Sequence, residues 1–236
     1  MTAIAAILVL AAFSAFSSTE AQTPVQVDIY YESLCTDSIA FITKQFYPTY
    51  QKMGKYMKVN FIPYGNSNKT KDEATGGYTF VCQHGPEECY GNKVQSCALV
   101  HIMEDKKKVA FINCVMSAQN VTAAGLECAT DHNIEFPPID TCVNGAEGNI
   151  TLAKMGDKTD ALNPRLTSVP TVVFDMMYKV DEQKMATSNF MSALCSHIMG
   201  TKPTECAGQS GATFSAYAVP SLVFALAAIL PAAVVH

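Results

Sequence analysis

The sequence predicts an α/β domain in which a helical, disulfide-rich insertion separates two halves of one sheet. Three observations predict this class. An alternating run of β-branched and aromatic residues, Val25–Tyr31, leads into a cysteine at the start of a helical pattern. A second apolar strand follows Pro170 near the end of the domain. Between these halves, residues 78–165 hold six of the nine cysteines, which favours elements joined by disulfides.

The first half contains the residue that points to chemistry. Residues 38–53 carry apolar side chains at helical spacing, and Cys35 lies between the predicted strand and this helix. Thioredoxin-like enzymes place the thiolate that attacks a disulfide at this position of a strand–turn–helix unit. The sequence therefore predicts a thioredoxin-like fold with Cys35 as its nucleophile.

The fourth residue of the turn Cys35-Thr36-Asp37-Ser38 is a serine rather than a second cysteine. A dithiol site needs that second sulfur to attack the mixed disulfide and release the product. A hydroxyl cannot do so, and one-thiol chemistry on disulfide-containing proteins is expected instead: exchange, or covalent capture with release by a small external thiol. If Cys35 is unreactive, the same fold predicts a binding protein that uses the peptide groove.

Pro170 opens the apolar strand of the second half, which continues through residues 171–174. In thioredoxin-like folds a cis-proline begins this strand and lies against the active-site cysteine. We therefore expect the Val169–Pro170 bond to be cis and Pro170 to lie beside Cys35, although most prolyl bonds are trans.

The other elements follow from local patterns. Residues 58–64 form a predicted strand that ends at Pro63, and residues 66–77 a polar loop. Residues 135–149 contain glycine, asparagine and proline, which predicts a break. Residues 168–200 predict a strand, a turn, a second strand and a helix. Within the insertion, two further segments have helical patterns: 87–103 and 108–119.

An odd number of cysteines indicates one thiol without a partner in the chain. Setting Cys35 aside leaves eight cysteines, enough for four structural bridges in an oxidising compartment. An alternative is that the ninth thiol links two chains in a disulfide-bonded dimer. The eight predicted structural cysteines are Cys82, Cys89, Cys97, Cys114, Cys128, Cys142, Cys195 and Cys206.

Both ends of the chain have the composition of processing signals. Residues 1–21 predict a secretory signal peptide, with an N-terminal membrane anchor as the alternative. Residues 208–236 contain small residues, a spacer and an apolar run, which predicts a glycolipid-anchor signal, with a transmembrane helix as the alternative. A glycolipid anchor or a transmembrane helix at this C-terminal end would hold the domain, residues 22–207, at a membrane.

Glycosylation sequons add to the evidence for a secretory product. Sequons begin at Asn68, Asn120 and Asn149. We therefore expect a glycoprotein that is extracellular or at the cell surface, or alternatively lysosomal.

Composition argues against several other functions. The net charge is −5 at pH 7, and the basic run 106–108 is isolated, so no nucleic-acid partner is expected. The sequence has no phosphate-binding glycine loop and no cofactor motif, so we expect neither cofactor nor metal. No G-x-S-x-G motif surrounds Ser38, which argues against a serine hydrolase.

Residues 82–97 match the pattern C-Q-H-G-x-x-E-C-x-x-N-x-x-x-x-C in full. This resembles the signature of the gamma-interferon-inducible lysosomal thiol reductase family. The resemblance implies a thioredoxin fold with a helical insertion, reduction of protein disulfides, and an acidic endocytic or secreted location. The resemblance also implies that Cys35 is the nucleophile. The family motif is C-x-x-C, and the role of the second thiol is therefore not carried to Ser38.

The signature also allows other interpretations. A zinc site could combine cysteine and histidine ligands, but the spacing differs from paired C-x-x-C sites and the compartment favours disulfides. A structural scaffold is the favoured interpretation, with His84 as a turn residue rather than a catalytic base because the sequence shows no partner for it. The zinc ligands of that alternative would be Cys82, His84, Cys89 and Cys97.

Overall fold

The computed structural model describes residues 22–208 and has a three-stranded sheet at its centre. The first strand lies in the middle of this sheet, parallel to the second and antiparallel to the fifth. The third and fourth strands form a separate antiparallel hairpin. The strands of the described residues are β1 (Val25–Tyr31), β2 (Met57–Pro63), β3 (Asn68–Lys71), β4 (Tyr78–Val81) and β5 (Thr171–Phe174).

Helices supply the remaining layers, and most of them lie in the insertion between β4 and β5. The first two helices are joined without a break by a π-helical segment, Ile42–Phe46. The helices of the described residues are α1 (Thr36–Phe41), α2 (Tyr47–Met53), α3 (Pro86–His101), α4 (Asp105–Ser117), α5 (Gly125–Asp131), α6 (Phe136–Asn144), α7 (Ala146–Asp160), α8 (Gln183–Ser188) and α9 (Phe190–His197).

The two faces of β1 pack against different helices, because successive side chains of a strand point to opposite faces. Ile29 lies in the larger core, together with Phe46 and Phe190 of the helical layer on that side. Tyr30 lies in a second core on the other face, with Leu152 of α7. The sheet is therefore buried on both sides, which holds the C-terminal end of β1 in a fixed position.

Three expectations from the sequence are wrong in detail. Residues 66–77 include β3, which pairs with β4. The sequence resembles a loop because the polar side chains of this strand lie on an exposed hairpin. Residues 135–149 hold all of α6 and the start of α7. Proline is tolerated in the first turn of a helix, where its missing N–H is not needed. Between β5 and α8 the described residues form a single bridge, Phe174↔Met177, rather than a second strand.

The structure pairs the eight predicted structural cysteines. Cys97–Cys142 joins α3 to α6, and Cys114–Cys128 joins α4 to α5. Cys82–Cys89 joins the segment before α3 to the first turn of that helix. Cys195–Cys206 joins α9 to the end of the described chain. Three of the four bridges lie within the insertion.

The predicted signal peptide, residues 1–21, lies outside the described residues, as do residues 209–236 of the predicted tail. Among the helices within residues 22–208, none has the length and apolar character needed to cross a bilayer.

Candidate active site around Cys35

Cys35 is the N-cap residue of α1 and follows β1 by a short turn. Its backbone is extended, at φ −68° and ψ 120°, and its carbonyl accepts the first helical hydrogen bond from Ile39 N at 2.9 Å. The side chain is partly exposed and is the free thiol among the cysteines, all of which lie within residues 22–208. A sulfur at this position is accessible to a disulfide that approaches from solvent.

The loop before β5 forms the other wall of the site. The Val169–Pro170 peptide bond is cis, and the carbonyl oxygen of Val169 lies 3.8 Å from Cys35 Sγ. Thr171 Oγ1 donates to the carbonyl of Ser168 at 2.7 Å and closes the turn. The fold thus brings together Cys35 and the loop that contains Pro170.

Ser38 lies in the first turn of α1 and is fully buried. Its hydroxyl accepts a long hydrogen bond, 3.4 Å, from the backbone N–H of Glu32. The serine therefore links the start of the helix to the end of β1, and its oxygen is directed away from solvent.

The signature helix α3 supports the turn that precedes Cys35. Asn92 Oδ1 accepts from the backbone N–H of Ser33 at 2.8 Å, and Ser33 Oγ donates to the carbonyl of Glu88 at 3.2 Å. Gly91 permits this close approach, because a Cβ there would lie 2.5 Å from Ser33 Oγ. Signature residues far from Cys35 in sequence therefore fix the segment that carries it.

Three titratable side chains, Glu32, His84 and Glu88, form a cluster beside this turn, which we call the buried-acid cluster. His84 Nδ1 lies 2.5 Å from Glu88 Oε2 and 3.4 Å from Glu32 Oε2. Both carboxylates are fully buried, whereas the His84 side chain is 39% exposed. The sequence shows no partner for His84, whereas the structure places it against two carboxylates.

Burial raises the pKa of Glu32. The backbone N–H of Asn66 donates to Glu32 Oε1 at 2.6 Å and acts against this rise, as does His84, whereas the nearby Glu88 adds to it. Glu32 Oε2 is buried and accepts no hydrogen bond. The cluster thus holds carboxylate oxygens that have lost water without gaining full compensation.

Sequence reasoning missed Asn66 and did not connect Glu32 with His84 and Glu88. Glu32 belongs to the end of β1 and Asn66 to the turn after β2, and only the parallel pairing of these strands brings them together. Glu88 could have been found, because it lies four residues after His84 within the signature.

Disulfide bonding rules out the zinc site considered above. Cys82, Cys89 and Cys97 are all bridged, so their sulfurs are not available as thiolates. The same holds for Cys142, which lies near an exposed pair, His101 and Glu147. Among the described residues, the buried-acid cluster is thus the group of three with unmodified ligand atoms close enough to share a cation.

Comparisons with known proteins show the family of the chain. The family model described as gamma interferon inducible lysosomal thiol reductase (GILT) matches residues 26–132. The chain is 36% identical over 215 residues to GILT-like protein 1 of Drosophila melanogaster, covering 84% of this chain and 85% of that one. The chain belongs to the GILT family. A gamma-interferon-inducible lysosomal thiol reductase of Carassius auratus is 34% identical to this GILT-family chain, covering 78% of it and 72% of the relative.

A solved structure supports the fold of this GILT-family protein. The MdbA protein, a thiol-disulfide oxidoreductase from Actinomyces oris, superimposes with a TM-score of 0.50 at 16% identity, covering 77% of this chain and 83% of that one. The predicted thioredoxin-like fold is confirmed. The family match includes Cys35, Ser38 and the buried-acid cluster, whereas Pro170 lies beyond it.

Proposed function

We propose that this protein is a thiol–disulfide exchange protein of the secretory pathway that works with one thiol, that of Cys35. The observation that carries the proposal is the position of this free sulfur, partly exposed at the start of α1 and 3.8 Å from the carbonyl of Val169. Membership of a family named for thiol reductases supports the reaction class. Ser38 in place of a second thiol supports the one-thiol form of it.

The chemistry follows from a single nucleophile. The Cys35 thiolate attacks one sulfur of a substrate disulfide, a bond forms between Cys35 and that sulfur, and the other substrate sulfur leaves with the electron pair and then takes a proton. A small external thiolate next attacks the substrate sulfur of the mixed disulfide, and Cys35 leaves as a thiolate. The substrate then carries a disulfide to the small thiol, which a second equivalent can reduce.

Ser38 has no place in either step, because its hydroxyl is buried and accepts from Glu32 N. Without an external thiol, the mixed disulfide returns to starting material by attack of the substrate's own thiol, or it persists. The protein is therefore expected to isomerise or capture disulfide-bonded partners more readily than it reduces them.

The test compares three forms of the protein: the natural chain, Cys35→Ser and Ser38→Cys. The rate of alkylation at Cys35 is measured at several pH values, and reduction of a disulfide-containing protein is followed with and without a small thiol. The natural chain should require the small thiol, and Ser38→Cys should raise turnover at least tenfold. An alkylation rate no faster than that of a simple thiol, with no gain from Ser38→Cys, would contradict the proposal.

A second candidate is a binding protein that uses the groove beside Cys35 without covalent chemistry. The buried Ser38 favours it, because the hydroxyl is held in the turn by Glu32 N–H without any need for a second sulfur. The two functions differ in one variant. Partner binding that survives Cys35→Ser unchanged supports the binding protein, and loss of a mixed disulfide in that variant supports exchange.

We also propose entry into the secretory pathway and attachment to a membrane through the C-terminal tail. Support comes from four disulfides and from the sequons, since Asn68 and Asn120 are exposed and Asn149 is partly exposed. Expression in secretory cells should give a product that becomes smaller on deglycosylation. Release from the surface by a phospholipase that cleaves glycolipid anchors would distinguish such an anchor from a transmembrane helix.

A further inference from the structure

We propose that the buried-acid cluster, Glu32, His84 and Glu88, binds a divalent cation, with zinc as the best fit. This goes beyond thiol exchange at Cys35 and beyond the absence of metal expected from the sequence. The three side chains offer one imidazole nitrogen and two carboxylate oxygens, and these atoms all lie within 4.8 Å of one another. Zinc sites with three protein ligands of this kind keep a fourth position for water.

Two of the three distances between ligand atoms can be compared with those that zinc requires. Ligand atoms about 2.0–2.1 Å from a tetrahedral zinc are about 3.3 Å apart. His84 Nδ1 and Glu32 Oε2 are 3.4 Å apart, which meets this spacing. His84 Nδ1 and Glu88 Oε2 form a hydrogen bond at 2.5 Å and would separate by about 0.8 Å when both bind the metal. His84 is partly exposed and has room for this movement.

The second argument is a buried oxygen that accepts no hydrogen bond. Glu32 Oε2 is fully buried, accepts no hydrogen bond and faces His84 within the cluster. A buried carboxylate oxygen in this condition is costly unless a proton, a donor or a cation compensates it. The other oxygen of Glu32 is already engaged by Asn66 N–H. One oxygen is therefore held in place by the backbone and the other is free to bind.

The third argument is charge. The cluster contains two buried carboxylates, and within residues 22–208 neither forms an ion pair with a lysine or an arginine. A single imidazolium would leave one negative charge without compensation in a site of low dielectric. A divalent cation with a neutral imidazole balances both carboxylates. It would also join the end of β1 to the start of α3, next to the turn that presents Cys35.

The test is a calorimetric titration of zinc chloride into the purified full-length protein at pH 7.5. All forms carry Cys35→Ser, because a free thiol can itself bind zinc. We expect one zinc per chain with micromolar or tighter affinity, and at least tenfold weaker binding after His84→Ala. The matched control is His101→Ala, which removes the partly exposed histidine paired with Glu147 and should leave zinc affinity unchanged.

A second variant and a second readout exclude a folding artefact. Glu88→Gln keeps the size of the buried side chain and should also weaken binding at least tenfold. Zinc should raise the melting temperature of the parent form but not of His84→Ala, because a ligand that binds only the native state stabilises it. Cobalt(II) should give the visible absorption of a nitrogen–oxygen site. Zinc affinity that is equal in the parent and His84→Ala, or absent in both, would overturn the proposal.

Discussion

Two histidine–carboxylate clusters lie at different parts of this domain, and their burial is inverted. In the buried-acid cluster the two glutamates are fully buried and the His84 side chain is 39% exposed. In the second cluster the His197 side chain is 12% exposed, whereas Glu182 and Asp175 are 24% and 45% exposed. We call this second group the exposed-acid cluster.

The imidazole of the exposed-acid cluster rests on an aromatic ring. His197 stacks on Phe174 with ring centroids 4.3 Å apart, and its Nε2 lies 3.2 Å from Glu182 Oε2. Glu182 also accepts from Lys179 Nζ at 2.9 Å. Its carboxylate therefore has a lysine partner and contact with water, which the carboxylates of Glu32 and Glu88 do not have.

The difference appears in the ionisation of the acids. Burial raises the pKa of Glu32. Partial burial acts in the same direction on Glu182, but the hydrogen bond from Lys179 and the charge of His197 outweigh it and lower the pKa of that group. The pKa values of two glutamates beside histidines are thus shifted in opposite directions. The solvation and the partners of each carboxylate determine the direction of its shift.

The largest expected effect comes from filling the space beside Glu32. Gly65 has φ +59°, and a Cβ there would lie 2.3 Å from Glu32 Cγ. Gly65→Ala should therefore combine backbone strain with overpacking against a buried side chain, and we expect it to lower the free energy of unfolding by about 3 kcal/mol. Denaturant unfolding measures this.

The matched control is Gly200→Ala, three residues after His197. Gly200 also has positive φ, +72°, but a Cβ there would meet nothing within 4 Å. Only the backbone strain remains, and the expected loss is about 1 kcal/mol. Equal losses in the two variants would show that the space around Glu32 is not tightly filled.

A second prediction concerns the support of the turn by α3. Asn92 is fully buried, and its Oδ1 accepts from Ser33 N. Asn92→Ala leaves that N–H without a partner and should cost about 2 kcal/mol. The control is Asn144→Ala, on the exposed side of α6, which should cost under about 0.5 kcal/mol. A faster alkylation of Cys35 in Asn92→Ala alone would further indicate a loosened turn, whereas similar stabilities for both variants would contradict this role.

Local patterns were sufficient to predict the framework of the fold. β1 alternates in sequence, Pro63 ends β2, and the strand after Pro170 consists of β-branched residues and a phenylalanine, so each element carries its own signal. The β3–β4 hairpin gives a weak signal, because β3 is polar and each of its strands has only four residues. α6 was missed because its prolines were interpreted as breaks, although they lie in its first turn.

The candidate site was predictable only where its residues are close in sequence. Cys35 and Ser38 belong to one turn, and the signature places His84 just before α3 and Glu88 in its first turn. The meeting of Glu32 with His84 depends on how α3 packs against the end of β1, which no local pattern specifies. The packing that fixes Ser33 against Asn92 likewise became evident only from the fold.

The two clusters should give stability an opposite dependence on pH in chelator-treated protein. The raised pKa of Glu32 means that the folded state binds the proton of this carboxyl more tightly than the unfolded state does. The contribution of Glu32 to stability therefore falls as pH rises from its pKa in the unfolded chain to its higher pKa in the folded protein. The lowered pKa of Glu182 gives a contribution that is present above the unfolded value and is lost as pH falls toward the lowered one.

Glutamine variants separate these contributions. As pH rises from 4 to 7, the free energy of unfolding of Glu32→Gln should increase relative to that of the natural chain. That of Glu182→Gln should decrease relative to the natural chain. Unfolding free energies at several pH values measure both slopes. Slopes of the same sign would mean that solvation of the carboxylates does not distinguish the clusters.

The smallest expected effect is at the lysine of the exposed-acid cluster. The Lys179 side chain is 42% exposed, and its pair with Glu182 is screened by water and by salt. Lys179→Ala should therefore lower the free energy of unfolding by less than about 0.5 kcal/mol, and 1 M salt should remove the difference. Denaturant unfolding with and without salt measures it. A loss above 1 kcal/mol that survives salt would mean that Glu182 depends on its cation as strongly as a buried carboxylate does, and the contrast between the clusters would fail.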